Sequence, residues 1–194
     1  MKKIVLALLC LVALPAFAVG TQADFHQALY ALHEQQISGK KIRIEEEKAP
    51  YEGAAAAGYR YVETSYYDAD TGILLSRVRR DAVRPEYVHI AEVYLYENGK
   101  LVRDFVSITL PWAPLQPVRT FINFHHYDGA LHSVRQYDFS GQVNYESCKG
   151  DWNGKPIRLS LDSIDIDKAT QAKPEYKACF DGMRADWAQY KQPH

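Results

Sequence analysis

The stretch Tyr94-Leu95-Tyr96-Glu97-Asn98-Gly99-Lys100-Leu101 decides how this chain folds. Asn-Gly between two alternating aromatic and aliphatic runs is a strong two-residue hairpin signal, because such turns need positive φ and glycine adopts it without penalty. The same order of aromatic residue, acidic residue, turn glycine and aliphatic residue recurs in three other strings. These are Tyr67-Asp68-Ala69-Asp70-Thr71-Gly72-Ile73-Leu74, Tyr127-Asp128-Gly129-Ala130-Leu131 and Tyr137-Asp138-Phe139-Ser140-Gly141-Gln142-Val143. Tyr, Val, Ile, Phe and Thr dominate from Tyr59 to about Leu161, and turn signals punctuate the run. This region reads as a meander of successive β-hairpins.

Outward from that centre the pattern changes. Pro111-Trp112-Ala113-Pro114-Leu115-Gln116-Pro117 reads as a stiff connection interrupting the strands, since proline donates nothing to a ladder. Lys149 to Pro156 reads as a polar turn, and Ile157, Leu159 and Leu161 alternate as a last strand. Lys41 to Glu47 alternates about Ile42 and Ile44 as a half-buried strand does, and Ala49 to Gly58 reads as a loop. Thr21-Gln22-Ala23-Asp24 resembles a capping box that opens an N-terminal helix with Phe25, Ala28, Leu29 and Leu32 on one face and Ser38-Gly39 as its stop. A C-terminal helix is expected from Pro174, with Tyr176, Phe180, Met183, Trp187 and Tyr190 as its buried stripe. The fold class is α+β: an antiparallel β-meander with an N-terminal helix and a disulfide-tethered C-terminal helix.

The N-terminus carries an address. Met1-Lys2-Lys3 is a basic start, Ile4 to Leu14 is apolar, and Ala16-Phe17-Ala18 presents small residues where a signal peptidase reads. The apolar run is too short for a spanning helix, which needs about 20 residues. Cys10 follows Leu9, whereas lipoprotein processing wants a small residue there. Residues 1–18 are therefore expected to be a signal peptide cleaved after Ala18, leaving 19–194 as one periplasmic or secreted α+β domain with no stable membrane insertion. Cleavage removes Cys10 and leaves Cys148 and Cys179, which in an oxidising compartment read as one disulfide.

Loss of Lys2 and Lys3 takes the formal charge from −1 to −3, which argues against a nucleic-acid partner. Arg77, Arg79, Arg80 and Arg84 cluster, either on a solvated strand and turn or at an anion or acidic-partner site. Fourteen tyrosines in 194 residues raise a second possibility, an aromatic recognition face, with Tyr94, Tyr96, Tyr127 and Tyr137 as its candidates. The other reading of these rings is cross-strand packing.

The segments Tyr94–Leu101 and Tyr66-Tyr67-Asp68-Ala69-Asp70-Thr71-Gly72-Ile73-Leu74 resemble degenerate MORN-type repeats, and the resemblance spans roughly residues 60–147. It implies an antiparallel sheet of stacked hairpins offering a binding or scaffold surface.

One constellation points to chemistry. If Asp128-Gly129 is a two-residue turn, Tyr127 faces Ala130, His126 faces Leu131 and His125 faces His132. Two opposed imidazoles can share a metal, with His89 or Glu92 as the nearest further donors by sequence. The other reading is a pair of surface histidines beside Asn123 and Gln136. Gly-x-Ser-x-Gly, His-Glu-x-x-His, Cys-x-x-Cys and phosphate-cradling glycine motifs are not found. No catalytic residue and no cofactor is assigned. The expected function is an exported, soluble, non-catalytic binding protein that takes a protein partner, of inhibitor or immunity type, on a Tyr-rich sheet face. The alternatives are a periplasmic carrier or chaperone of an apolar ligand or lipoprotein, and a metal-dependent or hydrolytic enzyme.

Overall fold

The computed structural model describes residues 21–50, 60–110 and 113–183. The expected leader, most of the Ala49–Gly58 loop, Pro111, Trp112, Trp187 and Tyr190 lie outside the described residues. Nine strands form a single antiparallel sheet in sequence order, so every neighbour in the chain is a neighbour in the sheet. They are β1 (Ile42–Pro50), β2 (Arg60–Asp68), β3 (Leu74–Asp81), β4 (Val88–Glu97), β5 (Lys100–Leu110), β6 (Ala113–Asp128), β7 (Leu131–Asp138), β8 (Val143–Trp152) and β9 (Lys155–Asp162). Among the described residues, three α-helices accompany them, α1 (Gln22–Ile37), α2 (Lys168–Ala172) and α3 (Pro174–Phe180), with one 3-10 turn at Ser163–Asp165.

Turn chemistry explains the meander. Asn98 and Gly99 have φ of 51° and 76°, and Asn153 and Gly154 have 54° and 75°, the two positive values of a type I′ turn. Longer connections are closed by aspartate. Asp68 Oδ1 accepts the N–H groups of Asp70 and Thr71, and Asp138 Oδ1 accepts the N–H of Gln142 and the hydroxyl of Ser140.

Asn153-Gly154 corrects one expectation. Lys149 to Pro156 is not a polar turn: β8 continues through Trp152, and two residues suffice to reverse into β9. The proline-rich segment is a second correction. β6 starts at Ala113 and includes Pro114 and Pro117. The β5–β6 register slips beside Thr109, whose partner is Pro117, so the irregularities fall where a ladder donor is missing.

Residues paired across antiparallel strands share a face, so one register row sorts the sheet. Ser76, Val93, Phe105, Ile122 and Tyr137 pair in succession from β3 to β7. This is the covered face. α1 lies on β3 to β6 and buries Phe25, Leu29 and His33 there. Thr21 and Asp24 form the capping box, and Ser38 is the C-cap. α1 does not make a substantial contact with β1, so Ile44 is 55 % exposed on that edge strand rather than half-buried.

α3 covers the β7–β8 end with Tyr176, Cys179 and Phe180, and Cys179 is bonded to Cys148 of β8. The C-terminal helix is thus two short helices, α2 and α3, and the second ends at Phe180 ahead of Gly182. Met183 is buried beyond it. Among the described residues, no helix is long and apolar enough to cross a membrane.

Two substitutions test this architecture. Cys148→Ser with Cys179→Ser opens a loop of sequence separation 31 and is expected to cost about 3–4 kcal/mol in urea unfolding, with reductant costing the parent protein a similar amount. Gly150 has φ of 144°, and a Cβ there would stand 2.0 Å from the carbonyl oxygen of Ala130. Gly150→Ala is expected to lower the melting temperature, whereas alanine at Gly72, also at positive φ (73°) but with nothing within 4 Å of a Cβ, should do less harm.

Candidate functional site

The face opposite α1 carries a continuous polar row. Tyr94, Asp104, Asn123, Gln136, Tyr145 and Asp162 are consecutive register partners from β4 to β9. Their side chains meet because paired residues stand about 5 Å apart, within reach of amides and carboxylates. Asn123 Nδ2 donates to both Asp104 oxygens at 2.7 and 2.9 Å, and Gln136 Nε2 donates to Asn123 Oδ1 at 3.0 Å. Tyr145 and Ser160 hydroxyls lie 2.9 Å apart.

The row continues towards β2 through charge pairs. Tyr94 Oη donates to Glu92 Oε2 at 2.6 Å, and Arg77 donates to the same oxygen at 3.3 Å. Glu63 then lies against Arg77 at 3.2 Å and Arg79 at 2.5 Å. Burial pushes the Tyr94 phenol well above its ordinary value, and Glu92 beside it adds to the effect. The aromatic rings of this face carry cations. Arg43 lies over Tyr67, Arg79 over Tyr61, Lys100 over Tyr127 and Arg119 over Phe121.

The expected site residues divide between the two faces. Tyr94 and Tyr127 are on the open face, and Tyr96 lies near Tyr127 and Asp104. Tyr137 belongs to the core instead, 5 % exposed and edge-on to Phe124. It pairs with Ile122, and that register sends it towards the helices. The arginine cluster splits in the same way. Arg77 and Arg79 join the open-face pairs, Arg80 bonds the Tyr30 hydroxyl of α1, and Arg84 stacks on Tyr87.

The β6–β7 turn differs from the expected one. Gly129 and Ala130 form it, with Gly129 at φ of 55° in the first central position, as a type II′ turn requires. Asp128 therefore pairs with Leu131, Tyr127 with His132, His126 with Ser133 and His125 with Val134. The register has moved by two residues, and a side-chain period of two returns the same residues to the same face. His125 and His132 thus meet diagonally rather than directly, His125 Nδ1 lying 3.0 Å from His132 Nε2. The Tyr127 ring stacks on His132 at 4.5 Å, and His125 Nε2 lies 3.6 Å from Asp104 Oδ2. Burial, then His125 and Lys149, push the His132 imidazole below its ordinary value. Among the described residues, no group of three or more His, Cys, Asp or Glu side chains is placed to hold a metal ion, so His89 and Glu92 do not complete a set with this pair.

The covered face holds polar groups too. His33 Nδ1 is 2.7 Å from the Ser76 hydroxyl, and His26 Nδ1 is 2.8 Å from that of Ser107. Both serines have no exposed surface, so these contacts fasten α1 to β3 and β5 without presenting a hydroxyl to solvent. Under α3, Glu146 accepts from Arg135 at 2.5 Å and from the Tyr176 hydroxyl at 2.7 Å, and it is 1 % exposed. Burial and this bond push the Tyr176 phenol up to about 12. Neither the histidine anchors nor the Glu146 cluster carries a sequence motif. Polar residues in single alternating positions among apolar ones were the available signal, and only the register joins them.

These buried groups make two predictions. Glu146→Leu leaves the Arg135 guanidinium buried without its carboxylate and is expected to cost about 3–5 kcal/mol in chemical unfolding, against about 1 kcal/mol for Tyr176→Phe. Burial holds His26, His33 and His89 below the ordinary 6.5 in the folded chain. As pH falls the unfolded chain takes up protons first, so these groups leave stability whole above about pH 6.5 and reduce it below. The loss per histidine is at most about 1.4 kcal/mol per pH unit until its folded value is reached. Unfolding curves at pH 7.5, 6 and 5 check this, and His33→Gln should flatten the decline.

No protein-family model, no curated protein and no solved structure matches this chain, so the MORN-type resemblance stands on its hairpin strings alone.

Proposed function

We propose that this chain is a non-catalytic binding protein, exported by cleavage after Ala18, that takes a protein partner on the open face of its sheet. The observation that carries this reading is the polar row from Glu63 to Tyr145, in which Glu63 to Tyr94 and Asp104 to Gln136 form two bonded groups flanked by cation-capped rings. Side chains held in place before binding lose little entropy on association, which is how preorganisation raises affinity. The face alternates acid and base within it, and the whole chain is near neutral, which suits a protein surface of mixed charge better than a polyanion. Tyrosine and arginine are also the residues enriched at protein interfaces.

The covered face supports the same choice over an apolar-ligand carrier. Phe25 and Leu29 of α1 pack in one cluster with Ala91, Val93, Phe105, Ile122 and Phe124, so the centre of the helix–sheet interface is occupied by the chain's own side chains.

The test uses the exported full-length protein as bait in its own cell envelope. The mature mass should correspond to a chain starting at Val19. A partner should be retained by the parent protein and lost by at least about thirtyfold in Tyr94→Ala with Tyr127→Ala, the effect of removing a hot spot of 2 kcal/mol. Ile164→Ser, at an 87 % exposed position outside the sheet, should retain it. Equal retention by the double variant with an unchanged circular dichroism spectrum, or no retention by any form, refutes the reading.

A further inference from the structure

The His125–His132 contact has a geometry with two chemical meanings. His125 Nδ1 and His132 Nε2 are 3.0 Å apart, and the two rings are inclined by 14° with centroids 5.3 Å apart. One meaning is a hydrogen bond between two neutral imidazoles. The other is two ligand atoms on one edge of a coordination polyhedron. Metal–imidazole bonds of about 2.0–2.1 Å place two nitrogens about 2.8–3.0 Å apart when they meet at a right angle, and about 3.3–3.4 Å apart at the tetrahedral angle. The two nitrogens lie on the line joining the ring centres and face each other directly, so both rings turn before their lone pairs converge on an ion. Imidazole suits Cu²⁺, which favours right-angled pairs of nitrogen donors and stands highest in the affinity order of these ions.

The surroundings agree with a ligand role. The His125 side chain is 10 % exposed, and its outer nitrogen, Nε2, is buried without a hydrogen-bond partner. That nitrogen faces Asp104 Oδ2 at 3.6 Å, and the Asp104 carboxylate is itself held by Asn123. A carboxylate behind the far nitrogen of a ligating imidazole sets its tautomer and raises its basicity. Tyr127 stacks on His132 and fixes the second ring. Imidazole rings turn readily about their last torsion, so both lone pairs can be brought to a common point.

We propose that His125 Nδ1 and His132 Nε2 chelate one Cu²⁺ ion, with Asp104 positioning His125 from behind and water filling the other coordination positions. Binding breaks the bond between the two rings. His125 carries its proton on Nε2 towards Asp104, and His132 carries its proton on Nδ1, so both ligand atoms present lone pairs and no net proton is released. With only two protein donors the site is open and exchangeable, in keeping with the lack of a third His, Cys, Asp or Glu among the described residues.

The test titrates the full-length mature protein, stripped of any affinity tag, with CuCl₂, NiCl₂ and ZnCl₂ by calorimetry and records the electron paramagnetic resonance spectrum of the copper form. One equivalent of Cu²⁺ should bind more tightly than Ni²⁺ or Zn²⁺, with hyperfine structure from two imidazole nitrogens. His125→Ala and His132→Ala should each weaken Cu²⁺ binding at least about tenfold. Asp104→Asn should weaken it about 10–100-fold, the range for a group acting through a ligand. His126→Ala, on the opposite face, should leave it unchanged. Absence of stoichiometric Cu²⁺ binding, Zn²⁺ binding more tightly than Cu²⁺, or a copper spectrum lacking two imidazole nitrogens each overturns the proposal. If a histidine variant fails to fold, the parent spectrum decides alone.

Discussion

Among the described residues nine strands pair in sequence order, and the register of each pair decides which alternate side chains go to which face. Because the period is two, a slip of one residue would turn a strand inside out. The consequence is visible in adjacent rows. Val93, Phe105, Ile122 and Tyr137 lie beneath the helices, while their chain neighbours Tyr94, Asp104, Asn123 and Gln136 form the polar row on the other side. The core and the candidate site are therefore two products of one set of turns.

The helices depend on that arrangement. α1 is held by apolar packing from Phe25 and Leu29 and by two histidine–serine bonds that saturate polar atoms a closed interface would otherwise leave unpaired. α3 is only seven residues long, too short to be stable alone, and its place is secured by the Cys148–Cys179 bond and the Glu146 cluster. The face without helices bonds most of its row laterally instead, strand to strand. That lateral bonding gives the proposed binding surface its order, and it also brings His125, His132 and Asp104 into one group.

Much of the fold was legible. Asn98-Gly99 announced its hairpin because glycine and asparagine reach positive φ at low cost, and the Thr21–Asp24 box announced α1 through local hydrogen bonds. Asn153-Gly154 carries the same signal, but Lys149, Asp151 and Lys155 around it hide the strand pattern. The site was less legible. His125 and His132 share a face whether the turn is Asp128-Gly129 or Gly129-Ala130, because the two registers differ by two residues. Nothing in the sequence separates the buried Tyr137 from the exposed rings, because a tyrosine's face follows from register and not from its identity.

Local chemistry by itself determined that this chain forms a meander of hairpins with a capped helix in front, because turns and caps are made by residues a few positions apart. Its cysteine pair, left over once the expected leader is removed, pointed to a bond that the fold contains. Only the tertiary structure decided which tyrosines face solvent, that Asp104, Asn123 and Gln136 form one bonded row, and that His125 lies between His132 and Asp104. Those contacts join residues on different strands. A single residue of turn geometry shifts all of them at once, and the energy that selects one register is spread over the packed face beneath α1.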